Sequence, residues 1–246
     1  MKTGFAIFLL SFAFAAFSAE KLFLLAEDGF NEYLKNDFHA LARRLSDRYE
    51  CKLSSIPEKG VKPVLKIGKV KENGDYESVL FAVRGHLLLV NEENPLRDLS
   101  AEDVKNIFAG KFRMWKRTNV PLRQICYSGP ERLKPDFQAK DSVMWIRFRT
   151  SQLALQMLSD DLTALAIIPF TDAGAIVKKT KVVSVGGVEP TPKNVMNGTY
   201  PAATRYFLSI RKDAPAEIRK IYLKLRSKQT KIKLLKAGIL PAVEGD

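Results

Sequence analysis

The stretch NEENPLRDLSAEDVKNIFAGKFRMW, residues 91–115, decides how this chain is organised. Asn91 to Pro95 end a strand in a turn, and Ser100 then opens a helix. Ser100 with Asp103 three places on resembles a capping box, in which each side chain satisfies the other residue's backbone N–H. Val104, Ile107 and Phe108 mark one helical face. Gly110 stops the helix, and Trp115 follows in a basic loop. Local propensity alone does not explain so specific a succession.

Working outward, KLFLLA (21–26) reads as a first strand and FNEYLKNDFHALARRLSDRYE (30–50) as a helix, with Phe30, Tyr33, Leu34, Phe38, Leu41 and Leu45 at helical spacing. CKLSSI (51–56) is a second strand, and Pro57 to Gly74 is punctuated loop with room for one short helix. SVLFAVRGHLLLVN (78–91) is strand-like, with Gly85 at a break or bulge. PLRQICYS (121–128) is another strand, SVMWIRFRTSQLALQMLSDD (142–161) is mostly helical, and the wholly apolar TALAIIPF (163–170) suits a strand covered on both faces. Residues 181–212 give strand, turn-rich loop and strand. Asp213 is expected to cap the next helix, with Pro215 in its first turn, and Ser227 to cap a last helix closed by Gly238. Strands alternating with helices indicate an α/β architecture.

The bulk properties set limits. A chain of 246 residues that is 46% hydrophobic fills one or two domains. Lys2, the apolar run Phe5 to Phe17 and the small residues Ser18 and Ala19 have the layout of a secretory signal peptide over 1–19. That run is short for a bilayer span, which needs about 20 apolar residues, and no later segment suits one. No Cys beside the boundary offers a lipid attachment point. Export makes Cys51 and Cys126 candidates for a disulfide, but the reading favours two buried free thiols. His39 and His86 have no ligand at metal spacing, so neither metal nor cofactor is expected. The net charge is +13 and uneven: residues 205–236 hold eleven Lys or Arg against Asp213 and Glu217. A solvated helix surface is the favoured account of that face. Aromatic residues are not interleaved with the cations as a nucleic-acid platform would require, and no nucleic-acid partner is expected.

The order of these pieces resembles the phosphate-binding branch of the periplasmic substrate-binding proteins of ABC transporters. LLLVNEENPLRDLSAEDVKNIFAGKFRMW (87–115) is similar to that family's strand, Asn-Pro turn, capped helix and Trp. LAIIPFTDAG (165–174), GGVEPTPKNVMNGTYPAATRYFLSI (186–210) and SKQTKIKLLKAGILPA (227–242) resemble three further family segments in the right order. The resemblance implies a two-lobed type II periplasmic-binding-protein-like α/β fold, with mixed sheets flanked by helices and crossing hinge strands. Lobe 1 would comprise 20–90 plus 185–246, and lobe 2 residues 91–184. The capped helix would begin the second lobe, which answers the question its specificity raises.

The same resemblance implies a monomeric periplasmic or secreted protein that captures a small anion, phosphate or a related oxyanion, and works with an ABC transporter permease. Its ligand loops fall at Asp28 and Gly29, at Ser54 and Ser55, and at Ser128, Gly129 and Arg132. The loops depart from the family pattern. Glu27 and Asp28 stand where small hydroxyl residues are expected, and helix capping is their stronger reading. Pro130 replaces a Thr, removing a hydroxyl and an N–H donor, and Cys126 or Tyr127 stands where an Arg is expected. The alternative is therefore a non-transport envelope protein that keeps the fold without binding phosphate. An enzyme is not expected: Ser128 has no nearby His, and neighbours such as Glu27 and Asp28 do not face each other on a helix.

Overall fold

The computed structural model describes residues 20–27, 30–45, 49–56, 58–108, 111, 121–128 and 144–242. Residues 1–19, expected to be a signal peptide, lie outside them, as do Asp28, Gly29, Gly110, Trp115, Gly129, Pro130 and Arg132.

One strand organises the molecule. β4 (Tyr76–Asn91) is sixteen residues long and belongs to two sub-sheets. Its first part, Tyr76 to Gly85, pairs antiparallel with β11 (Ala203–Arg211), and its second, from His86 on, with β8 (Ala164–Pro169) and β9 (Thr180–Val182). Around the first part lie β1 (Glu20–Ala26), β2 (Tyr49–Ser54) and β3 (Leu65–Gly68), in the order β2-β1-β3-β11-β4. Around the second part the order continues β4-β8-β6-β7, with β6 (Gln124–Ser128) and β7 (Met144–Phe148). β12 (Leu240–Pro241) also pairs with β4, and β5 (Asp98–Leu99) forms a separate pair with β10 (Ser184–Val185).

The apolar runs become strands because helices cover both faces. Leu87 and Leu89 of β4, Cys126 of β6 and Ala166 and Ile168 of β8 pack on α3 (Ser151–Ser159), through Ala154, Leu155 and Leu158. The alternate residues Leu88, Val90, Ile125, Leu165 and Ile167 point the other way. They meet Val104 and Ile107 of α2 (Ala101–Phe108) and Val195 of α4 (Pro192–Met196). In the first half, β1 and β3 share a core with Phe30 and Leu34 at the start of α1 (Asn31–Leu45) and with α5 (Ala216–Leu225) and α6 (Lys228–Lys236).

The junction at 91–100 is built by side-chain amides. Asn91 Nδ2 donates to Ser159 O at 2.8 Å while its Oδ1 accepts from Glu93 N–H. Asn94, fully buried, donates to Leu162 O and accepts from Leu96 N–H. Each asparagine thus satisfies backbone groups that burial would otherwise leave unpaired. Ser100 Oγ accepts from Asp103 N–H at 3.0 Å and Asp103 Oδ2 from Ser100 N–H at 3.2 Å, so the reciprocal cap forms with Asp in place of Glu.

Several local expectations change. The stretch 57–74, read as loop, contains β3, which β1 and β11 pair on either side, and residues 49–50, read as helix, begin β2. Residues 144–148 are a strand, not the start of a helix; parallel pairing with β6 fixes them, and Thr150 then caps α3 through Leu153 N–H. The bulge in β4 lies at Phe81, between the pairs Leu80↔Phe207 and Ala82↔Tyr206, while at Gly85 the strand breaks from one partner to the next. Gly85 is required for a different reason: a Cβ there would stand 2.8 Å from Val195 Cγ1 and 3.2 Å from Phe170 Cβ. Asp213 does not cap α5, whose N-cap is Pro215; its carboxylate instead accepts from Arg211 Nε at 2.5 Å. The final helix follows expectation, capped by Ser227 and ended by Gly238 at φ 74°.

Candidate functional site

Strand directions locate the site. β1, β2 and β3 run parallel, and β11 is antiparallel to both β3 and β4, so the first part of β4 runs with them. Their carboxyl ends are Ala26, Ser54, Gly68 and, at the crossing, Gly85. In the second half β6 is parallel to β7 and β8, and β8 is antiparallel to β4 with His86 opposite Pro169. The ends Ser128, Phe148 and Pro169 therefore return to the same crossing. Open α/β sheets hold ligands beyond the carboxyl ends of their strands. Here both sets converge on Gly85–His86.

The first wall comes from the turns after β1, β2 and β3. The Glu27 carboxylate faces β3 and the turn beyond it. Its Oε2 accepts from Lys69 N–H at 3.3 Å, and its Oε1 lies 3.9 Å from Lys66 Nζ, which also binds Glu72 at 2.5 Å. Gly68 admits that carboxylate, since a Cβ would stand 2.7 Å from Glu27 Oε1. Ser54 Oγ donates to Ile56 O at 2.8 Å and accepts from Ile56 N–H at 3.1 Å, closing a local turn, while Ser55 is exposed. Glu27, Ser54 and Ser55 thus share one sheet edge, as their sequence positions imply. Asp28 and Gly29 lie outside the described residues.

At the crossing itself stand Arg84 and His86, neither of which the sequence reading placed in the site. The Arg84 guanidinium carbon is 5.7 Å from the Phe30 ring centre and 5.4 Å from that of Tyr206. Both rings are buried, and they hold the cation beside the start of α1. His86 is half-buried by accessible surface yet closely surrounded by protein atoms, and the latter governs its proton. Burial, reinforced by the Arg84 charge, lowers its pKa to about 4, so the ring is neutral at pH 7.

The second wall contains a chain of buried hydroxyls. Ser128 Oγ lies 2.5 Å from Ser151 Oγ, which lies 2.5 Å from Asp172 Oδ2 in the 3-10 turn (Phe170–Ala175) that follows β8. Each serine is 3% exposed. A hydroxyl has one proton. Ser151 gives its proton to the carboxylate, so Ser128 must give its own to Ser151. In this arrangement the Ser128 hydroxyl can accept from a ligand but has no proton left to donate. Neighbouring Cys126 is fully buried, and burial raises its thiol to about 11, with a smaller contribution from Asp161. Cys51, on β2 in the other half, is half-buried; both cysteines are free. Gly129 and Arg132 lie outside the described residues, and those described contain no group of three or more metal-binding side chains.

Solved structures share the fold. A possible phosphate-binding protein from Planctomyces limnophilus aligns with a TM-score of 0.66 at 12% identity, over 92% of this chain and 94% of its own. The chain has the fold of the ABC-transporter phosphate-binding proteins. PstS from Borrelia burgdorferi aligns at a TM-score of 0.58 and 10% identity, over 90% of this chain and 98% of its own. An ABC-type phosphate transport receptor from Vibrio cholerae aligns at 0.53 and 15%, over 89% and 99%. In sequence, the phosphate-binding protein PstS of Bacillus subtilis is 28% identical over 131 residues, covering 49% of this chain and 42% of that protein. The match thus spans less than half of that relative's length. No family model matches the chain. Among the described residues no helix is long and apolar enough to cross a membrane.

Proposed function

We propose that the protein is an exported, monomeric solute-binding protein that captures a small anion, phosphate or a related oxyanion, between two lobes. Closure would then present the ligand to an ABC transporter permease. The observation that carries this reading is the convergence of both sets of strand ends on a crossing that holds Arg84. A guanidinium lying over two adjacent buried rings is placed at the crossing, and its planar fork of N–H donors suits an oxyanion. The partner changes of β4 at Gly85/His86 and of the returning chain near Ala203 support lobe boundaries there, a few residues from the 90/91 division and well beyond 184/185. The loops at Asp28 and Gly29, Ser54 and Ser55, and Ser128, Gly129 and Arg132 would complete the site. No catalytic step is assigned to it.

Isothermal titration of residues 20–246, which include every described element, against phosphate and related oxyanions tests the proposal. Saturable heat, with an affinity that Arg84→Ala lowers at least about tenfold, supports it. Absence of heat with every oxyanion rejects it in favour of a second reading, an envelope interaction protein that keeps the fold without this ligand. That second reading draws its support from Ser128, whose proton is turned inward, and from Pro130, which supplies neither hydroxyl nor N–H donor.

A further inference from the structure

The last two helices carry an outward surface that the cleft does not use. α5 and α6 bury Ile218, Ile221, Tyr222, Leu225 and Leu234 in the first half's core, so the opposite face of each looks away from that core. Those faces are not simply polar. Leu223 is 62% exposed, Leu235 47% and Ile232 44%, and around them Lys220, Lys228, Lys233 and Lys236 are exposed as well. Residues 216–236 contain eight Lys or Arg against Glu217 alone. Among these cations Arg219 lies 3.9 Å from Glu77, Arg226 lies over the Tyr222 ring, and Lys224 and Lys231 are engaged as well.

Lysines alone would describe a solvated surface, and single exposed leucines are ordinary. Three large aliphatic side chains inside a one-sign cationic field are a different combination. Interfacial helices use it: the aliphatic groups enter the boundary between headgroups and acyl chains while the lysines remain among anionic headgroups. A nucleic acid would fit less well, because single-strand binding draws on exposed aromatic faces and Tyr222 is only 3% exposed. We infer that the α5–α6 face docks on an anionic phospholipid bilayer, with Leu223, Ile232 and Leu235 entering the headgroup layer. This surface acts independently of what the cleft holds.

Cosedimentation of residues 20–246 with phosphatidylcholine vesicles, with and without phosphatidylglycerol, tests the inference; omitting 1–19 removes the apolar leader from the measurement. Binding is expected only with phosphatidylglycerol, and it falls as salt rises from about 0.05 to 0.5 M. The triple variant Lys220→Gln/Lys228→Gln/Lys233→Gln lowers the partition coefficient about a hundredfold, taking roughly fivefold per cation. Leu223→Ser/Leu235→Ser, which alters only exposed positions, lowers the fraction still bound at the higher salt. Added phosphate leaves vesicle binding unchanged, which separates this face from the cleft. Equal binding to both vesicle types, no binding to either, an unaltered triple variant, or preferential capture by a single-stranded oligonucleotide each overturns the inference.

Discussion

Removing the middle hydroxyl of the Ser128–Ser151–Asp172 chain tests the proton count directly. Ser151→Ala deletes a hydrogen bond to a carboxylate, a type that contributes about 1.5–3 kcal/mol. It also strands the Ser128 hydroxyl, 3% exposed, without its partner, and an unsatisfied buried donor costs about 1–3 kcal/mol. Ala is the better helix former at this first helical position, which returns about 0.5 kcal/mol. The expected net loss is about 2–5.5 kcal/mol. Ser128→Ala removes only one neutral bond and leaves Ser151 donating to Asp172, a loss of about 1 kcal/mol. Urea unfolding of residues 20–246, compared by midpoint at common slope, measures both. If Ser128→Ala costs as much as Ser151→Ala, the described chain is wrong. Phosphate titration supplies a second arm. Ser128→Ala should change affinity by less than about threefold, because its proton points inward, whereas a loss of about tenfold would show that Ser128 donates to the ligand.

Arg84→Ala should weaken any oxyanion binding by at least about tenfold, the equivalent of roughly 1.4 kcal/mol, with Arg84→Lys recovering only part because a point charge lacks the guanidinium fork; equal titrations for wild type and Arg84→Ala would remove Arg84 from the site. Gly85→Ala forces a methyl group against Val195 and Phe170 and should cost about 1–3 kcal/mol. Adding Val195→Ala should return part of that cost, and a strictly additive double mutant in urea unfolding would contradict the close approach. His86 is harder to protonate in the folded chain than in the unfolded one. Above pH 6.5 both states are neutral and this residue leaves stability unchanged; as pH falls from 6.5 towards about 4 only the unfolded state gains the proton, and up to about 3 kcal/mol is lost. The difference between wild type and His86→Gln should appear in that window, and parallel pH profiles would refute it.

Much of the fold is legible in the sequence where the signal is local. Ser100 and Asp103 are three residues apart, as are Ser227 and Thr230, and both form the caps their spacing implies. The apolar run 163–170 reads correctly because a strand covered on both faces needs no polar alternation. Residues 144–148 do not: MWIRF carries no break before TSQLALQ, and its strand state depends on pairing with β6, about twenty residues earlier. Asp213 lies near enough to α5 to read as a cap, but Arg211 competes for its carboxylate. The site was harder to see for the same reason. Arg84 reads as one polar residue inside an apolar strand, and its aromatic partners lie 54 residues before and 122 after it. Asp172 in FTDAG gains meaning only from Ser151, 21 residues upstream.

The position of β11 bears on how the polypeptide reaches its native state. Residues 203–211 lie between β3 and β4, so the strands formed from residues 65–68 and 76–85 have no direct hydrogen-bonded partnership with each other. Until the ribosome has released that ninth-tenth of the chain, the earlier half carries two bare strand edges and an open hydrophobic interior. Such nonlocal closure slows folding and exposes aggregation-prone edges. A nascent chain whose sheet stays incomplete until residues 203–211 emerge is therefore suited to being carried by a chaperone, and one truncated before Ala203 should accumulate as insoluble material.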